Sequence, residues 1–336
     1  MAAPGDKEVL SIKGLQVCYR TDRGPVRAVR GVDLSVREGE IVGLVGESGC
    51  GKSATLLSVM RLLPFPGEIV AGSIEVDGTD VLALNGKGLQ ALRGGTVAMV
   101  FQDPMSTLNP AHQIGAQMKE ALRVHGLPST RSVLVDLLKE VGIPSPETVL
   151  GYYPHQLSGG MQQRVMIAIS LSCRPKLILA DEPTTALDVT IEAQILDLLR
   201  QINRDRGTAI VLVTHNLAVA SQFCHRIAVM YAGQIVEEGS VKDVLSRPLH
   251  PYTRGLIGCI PRFRKGVPLT PIRGQVADLS ENHEGCAFYP RCDKAVPGCL
   301  ETLESLLDAG DRMVRCHRYG VPEYGDVAAA QDSGCS

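Results

Sequence analysis

Ile41-Val42-Gly43-Leu44-Val45-Gly46-Glu47-Ser48-Gly49-Cys50-Gly51-Lys52-Ser53 runs from a short apolar segment into a glycine turn, and the helix-like stretch Ala54 to Leu63 follows it. Strand, glycine turn and helix start, in that order, form the context that a phosphate-binding loop needs. The glycines let successive backbone N–H groups turn inward around phosphate oxygens, and the helix N-terminus adds a favourable dipole. Lys52 then reaches the β- and γ-phosphates of a nucleotide as a point charge, and Ser53 ligates Mg²⁺. The ATP-binding set expected here is Gly46, Glu47, Ser48, Gly49, Cys50, Gly51, Lys52, Ser53 and Ala54.

Working outward, Leu177-Ile178-Leu179-Ala180 is short enough for a buried parallel strand and ends in Asp181-Glu182-Pro183. Carboxylates at the C-terminal end of such a strand sit where open α/β sheets bind ligands. Asp181 is therefore assigned to the Mg²⁺ shell and Glu182 to the attacking water, whereas an isolated Asp-Glu pair would be a solvated turn. Gln102 follows the strand-like run Val97 to Phe101, and His215 ends the run Ala209 to Thr214. A lone histidine is usually structural, but this one leaves a third buried strand at the phosphate edge. Between these segments lies Leu157-Ser158-Gly159-Gly160-Met161-Gln162-Gln163-Arg164.

These motifs, in this order, resemble those of the nucleotide-binding subunit of ATP-binding cassette (ABC) transporters. The resemblance implies an α/β fold: a RecA-like P-loop NTPase core with an antiparallel β subdomain and an inserted helical subdomain. It makes Tyr19 the aromatic that stacks on adenine, although a Tyr after Val17-Cys18 also reads as an edge-strand residue. Gln102 becomes the glutamine loop and a third Mg²⁺ ligand beside Ser53 and Asp181. Leu157, Ser158, Gly159, Gly160 and Gln162 become the signature motif, Asp188 the D-loop aspartate and His215 the switch histidine. Catalysis is then expected from Glu182, His215, Gln102 and Lys52. Asn216 stands where relatives often carry Asp. The signature further implies that one copy is incomplete, because in the family it caps the γ-phosphate held by the opposite subunit.

The chain has 336 residues, 44% hydrophobic and 21% charged, with no Trp, which suits a soluble subunit of about two domains. A formal charge of −2 lacks the basic footprint of nucleic-acid binders, so no nucleic-acid partner is expected. The first residues hold no apolar signal region, and Arg or Gly interrupts every run that approaches membrane-spanning length. The expected location is the cytoplasmic face of the membrane, as a peripheral protein whose translocation pathway belongs to other chains.

Strands are expected near Ile12, Val32 to Val36, Ile41 to Val45, Ser73 to Val76 and Val97 to Phe101, and again at Leu177, Ala209 and Ile227. Between them, Ile114, Met118, Ala121 and Leu122, then Val133, Leu137, Leu138 and Val141, recur at helical spacing. The expected division is a nucleotide-binding domain over 1–250 with a helical insert at about 103–160, a C-terminal extension over 251–325 and a flexible tail over 326–336. Residues Asp103 to Pro110 are either a Pro-bounded linker or, by resemblance, part of the groove that receives a coupling helix from a membrane subunit.

Arg247-Pro248-Leu249-His250-Pro251-Tyr252-Thr253-Arg254-Gly255-Leu256 resembles a segment of the subfamily that imports dipeptides, oligopeptides and, in some members, nickel. Tyr153-Pro154-His155-Gln156 and the run from Asp181 to Thr190 point the same way. The partners implied are two membrane-spanning permease subunits, a second and homologous ATPase subunit, and an extracytoplasmic solute-binding protein. A nickel or metal-chelate importer, a soluble non-transport ABC ATPase and a redox-sensing regulatory subunit are the alternatives.

The extension carries Cys286, Cys292, Cys299 and Cys316. In a reducing compartment such a cluster binds metal more readily than it forms disulfides. Zinc prefers close pairs, two to four residues apart, and here the gaps are five, six and sixteen residues. Four thiolates from a loop suit a [4Fe–4S] cluster, which some members of the resembled subfamily carry. Zinc and no metal remain the other readings. Cys18, Cys173, Cys224 and Cys259 read as small core residues. Cys50 either replaces another small residue or is a thiol acidified by its helix N-terminus, which would make ATP binding oxidation-sensitive.

Overall fold

The computed structural model describes residues 4–22, 24–185, 187–260, 271–281, 285–300, 306–308, 310 and 312–318. The 326–336 tail and Cys335 lie outside the described residues. The strands are β1 (Glu8–Thr21), β2 (Gly24–Arg37), β3 (Ile41–Val45), β4 (Gly67–Val76), β5 (Thr79–Asp80), β6 (Val97–Val100), β7 (Leu177–Asp181), β8 (Ala209–Thr214), β9 (Arg226–Tyr231), β10 (Gln234–Ser240), β11 (Leu307–Asp308) and β12 (Met313–Val314). The helices are α1 (Lys52–Val59), α2 (Gly86–Leu92), α3 (Pro104–Thr107), α4 (Ile114–Val124), α5 (Arg131–Glu140), α6 (Pro146–Val149), α7 (Gly159–Leu171), α8 (Val189–Arg206), α9 (Leu217–Phe223), α10 (Val241–Ser246) and α11 (Pro251–Gly258).

The main sheet has the order β11-β12-β10-β9-β3-β8-β7-β6, and β9, β3, β8, β7 and β6 run parallel. Its strands are apolar on both faces, as parallel strands covered on both sides must be. Ile41, Ile178, Ala180, Ile210 and Leu212 face one apolar cluster, which also takes in α4, α5, α7, α8 and α9. Val42, Leu44, Leu177, Leu179, Val211 and Val213 alternate into a second cluster. That second cluster is closed by α1 and by the antiparallel sheet β2-β1-β4-β5. The expected α/β core with an antiparallel β subdomain is therefore present.

Helices stand at the two runs of helical spacing, but the second stripe is shifted. Ile114, Met118 and Leu122 bury one stripe of α4, and Leu134, Val135 and Leu138 one stripe of α5, whereas the expected Ala121, Val133 and Leu137 are only half-buried at the margins. α8 starts at Val189 because Asp188 caps it, its side chain accepting from the Ile191 N–H. It stops at Gly207, which takes the left-handed conformation that favours glycine.

Beyond residue 250 the described segments pack back onto the main sheet. β12 pairs antiparallel with β10, Glu237 opposite Val314, and Arg315 N–H donates to Val236 O at 2.8 Å. Glu237 is fully buried, accepts the Leu249 and His250 N–H groups at 2.9 Å each, and has Arg312 at 3.7 Å. Tyr231 at the end of β9, Tyr252 on α11 and Phe288 form an aromatic cluster with ring centroids 4.7, 5.2 and 5.4 Å apart.

Cys224 is buried, in line with a core reading, but Cys18 and Cys173 are only half-buried and Cys259 is exposed. Cys259 caps the C-terminal end of α11 on its outer side, while its neighbours Leu256, Ile257 and Ile260 pack against the core.

Candidate functional site

Because β3, β6, β7 and β8 are parallel, their C-terminal ends share one edge of the sheet. That edge gathers the phosphate loop, Gln102, Asp181-Glu182 and His215. The loop itself is shaped by close packing. A Cβ at Gly46 would stand 2.2 Å from Met230 O, and one at Gly51, whose φ is +104°, 2.2 Å from Ala28 O. Only glycine fits either position. Lys52 is buried, and its Nζ donates to Gly46 O and Glu47 O at 2.8 Å each.

Ser53 Oγ donates to Asp181 Oδ1 at 3.0 Å, joining the loop to the end of β7. Burial, reinforced by the Glu182 charge, pushes the Asp181 carboxyl above the usual range, against the bond from Ser53. A buried carboxylate beside a hydroxyl, both oxygen donors, is a chemical match for Mg²⁺. Gln102, the third expected ligand, is instead turned to Glu182, its Nε2 donating to Oε2 at 3.4 Å.

Glu182 is the centre of the constellation. Its φ of 44° is left-handed, uncommon for a non-glycine residue and frequent at functional sites. Its side chain is 15% exposed, with Oε2 3.2 Å from His215 Nδ1. The same oxygen accepts from Thr185 Oγ1 at 2.8 Å. Thr185 was not singled out in the sequence, where it is one hydroxyl among several, although it stands three residues from Glu182. Asn216 caps α9, its Oδ1 accepting from Ala218 and Val219 N–H, so the residue that follows His215 anchors a helix.

Ser158 caps α7, its Oγ accepting from Met161 N–H at 3.4 Å, and Gly159 and Gly160 form the first turn. A Cβ at Gly159 would meet only Leu187 Cδ2 at 3.9 Å, so this face of the turn is open. Leu157 and Gln162 are buried, and Gln162 Nε2 donates to Pro154 O at 2.8 Å and Leu157 O at 3.3 Å. Gln163, a residue the sequence did not single out, is buried and donates to Pro183 O at 2.6 Å. It joins the signature helix to the loop that carries Glu182. Among the described residues, no hydrogen bond or ion pair joins Leu157–Gln162 to the phosphate loop of the same chain. Asp188 spends its carboxylate on the α8 cap. Tyr19 is a half-buried ring on β1 that stands over Gly67, where a Cβ would come within 2.5 Å of it. Burial raises its hydroxyl pKa.

Two side chains of the loop are engaged by the rest of the chain. Cys50 is 1% exposed, and burial raises its thiol pKa against the opposing Lys52 charge, which reverses the acidified-thiol reading. The helix terminus does not win because desolvation of the thiolate is the larger effect. Glu47 directs its side chain away to Arg291, 244 residues further on, in a two-pronged ion pair at 2.6 and 3.0 Å. Its N–H donates to the Tyr252 hydroxyl at 2.9 Å.

Cys286, Cys292, Cys299 and Cys316 line one cavity together with Phe288 and His317. Burial, with the neighbouring thiols adding to it, pushes Cys286 up to about 11, and burial also raises Cys292. Among the described residues, no three His, Cys, Asp or Glu side chains are grouped as a site for a metal ion. No described helix is long and apolar enough to cross a membrane.

The chain matches the profile described as "ABC transporter" over residues 29–185 and the one described as "Oligopeptide/dipeptide transporter, C-terminal region" over 236–299. It is 46% identical over 313 residues to the dipeptide transport ATP-binding protein DppD of Haemophilus influenzae, covering 92% of this chain and 95% of the relative. The DppD of Escherichia coli strain K12 is 45% identical over 314 residues, covering 92% and 96%. The dimeric ATP-binding cassette MJ0796, solved in a post-hydrolysis state with ADP and Pi, has a TM-score of 0.62 at 30% identity, covering 69% of this chain and 98% of that one. With the strand-edge geometry of Ser53, Asp181, Glu182 and His215, these likenesses place the chain in the ABC transporter ATPases, in the branch with the oligopeptide/dipeptide transporter C-terminal region.

Proposed function

We propose that the chain is the ATP-hydrolysing subunit that powers import of dipeptides or oligopeptides across the cytoplasmic membrane. The observation that carries this is the 46% identity to a dipeptide transport protein over nearly the whole of both chains. It runs through the C-terminal region as well as the cassette.

In this reading the phosphate loop and Lys52 hold the ATP phosphates, and the Tyr19 ring takes the adenine. Ser53, Asp181 and Gln102 would hold Mg²⁺, which would supply neutralisation of the phosphate charge. Glu182 accepts the proton of the attacking water, and the bonds from Gln102 and Thr185, with His215 Nδ1 3.2 Å away, keep its carboxylate aimed. His215, next to the incoming γ-phosphate, stabilises charge that develops there. Little covalent chemistry falls to the protein, so positioning and electrostatics supply most of the acceleration.

Ser158, Gly159 and Gly160, open to the outside at a helix N-terminus, serve the nucleotide of a second cassette subunit in a dimer. Asp188 lies at the same interface. Met105 on α3, 70% exposed, suits a groove that receives a coupling helix from a membrane subunit. Two such subunits, an external solute-binding protein and a position on the cytoplasmic face complete the importer.

The wide spacing of Cys286, Cys292, Cys299 and Cys316, without a close pair, argues against zinc. Lining one cavity, the four thiols would instead ligate a [4Fe–4S] cluster. It would supply a covalent staple for a segment with few apolar residues.

Gentle affinity purification from the native membrane tests the reading. Two integral membrane proteins and a second cassette chain are expected to co-purify. Recovery with ribosomal or DNA-repair proteins alone would overturn it.

A further inference from the structure

We infer that Arg291 is a positioning residue for the phosphate loop, through which the cysteine-lined extension sets the affinity of the site for nucleotide. Glu47 is held at three points. Its carboxylate takes both prongs of the Arg291 guanidinium, its N–H is taken by the Tyr252 hydroxyl, and its carbonyl accepts from Lys52 Nζ. Two of the three partners come from beyond residue 250.

Arg291 is itself fixed. Its side chain is 4% exposed, its Nε donates to Arg273 O at 2.8 Å, and its guanidinium lies 5.8 Å from the Tyr231 ring centroid and 5.9 Å from that of Phe288. It ends the short turn Tyr289–Arg291 and directly precedes Cys292, which lines the thiol cavity with Phe288. A planar guanidinium gripping a carboxylate with two bonds fixes direction as well as distance, which a lysine cannot do. The Tyr252 bond turns the Glu47 N–H to the extension, so residue 47 is a fixed post from which Ser48 to Gly51 curve. A shift of that post moves the donors that surround the phosphates, and misplacement of such groups is costly.

The inference rests on the ATP-binding reading, and the test separates the two. In the full-length chain, the affinity for a fluorescent ATP analogue is measured for wild type, Arg291→Ala, Arg291→Lys, Glu47→Gln and the double variant, together with KM and kcat in the assembled complex. Arg291→Ala is expected to weaken binding about tenfold, the scale of one charged hydrogen-bond pair, and to raise KM more than it lowers kcat. Arg291→Lys is expected to keep part of the affinity, and it carries the test if the alanine variant does not fold. The double variant is expected to bind no more weakly than Arg291→Ala alone. Wild-type affinity in a folded Arg291→Ala or Arg291→Lys protein, or losses that simply add in the double variant, would overturn the inference. A wild-type chain that binds no ATP analogue would overturn the ATP-binding reading and the inference with it.

Discussion

Between β9 and β6 the main sheet is sealed on both faces by apolar side chains, whereas the segment after residue 250 reaches the same sheet through the short β12–β10 pairing, the buried Glu237–Arg312 contact, an aromatic cluster and a thin set of mostly half-buried apolar residues. The first region spreads its stability over many small contacts, so its strand ends can carry the reactive groups without being needed for folding. The second depends on single groups with large individual consequences, since a buried carboxylate must keep its donors. The same segment touches the catalytic region at Glu47. An appendage with little core of its own is thus fastened to the part of the cassette that handles phosphate.

Four changes would break or sharpen this contrast, and the largest falls in the core. Glu182→Gln should cut turnover by about 10²–10⁴-fold, the range for loss of a general base, while nucleotide affinity and melting temperature stay near wild type. Phosphate release and analogue binding by the assembled complex measure the two sides. In the extension the order reverses, with architecture failing before chemistry. Glu237→Ala leaves the Leu249 and His250 N–H groups and Arg312 without their carboxylate. A loss of about 3 kcal/mol is expected, seen as faster limited proteolysis beyond residue 250 than within the cassette.

Acid should loosen the extension next. Burial holds the His250 imidazole down at about 3, against 6.5 for an unburied histidine, and its Nδ1 accepts the Tyr252 N–H that caps α11. Between those values the unfolded chain binds the extra proton. The stabilisation is therefore complete above about pH 6.5 and falls by roughly 1.4 kcal/mol per pH unit below it. Melting curves at pH 7 and pH 5 measure this slope, and His250→Asn, which keeps a capping oxygen, should flatten it. The smallest effect is again in the core. Asn216→Ala removes the α9 cap and should cost about 1 kcal/mol, and Asn216→Asp should recover it in a melting assay.

The core was legible because its signals are local. The apolar runs at Ile41 to Val45 and Ala209 to Thr214 are β3 and β8. Leu177 to Ala180 is β7 with one residue added, the Asp181 that closes it. Departures there are small. The helix expected over Ala54 to Leu63 already ends at Val59, where Met60 caps it and Arg61 turns left-handed at φ 48°. The extension was legible only in composition. Its attachments join residues 205 and 244 positions apart, and no spacing rule reaches so far. β11 and β12 are two residues each, too short to show a period. Glu237 was not singled out in the sequence, and only the fold reveals it as a buried anchor. Of the two Cys50 readings, the acidified thiol fails for a related reason, since a motif displays a helix terminus but not the burial that opposes it, and the small-residue replacement stands.

The most direct measurement is peptide uptake by proteoliposomes that contain the complete complex, with this chain either wild type or Glu182→Gln. ATP-dependent accumulation of dipeptide with the wild type, abolished by the substitution while ATP is still bound, is the expected result. Peptide accumulation that proceeds undiminished with Glu182→Gln in every copy of this chain would contradict its role as the subunit whose hydrolysis drives import.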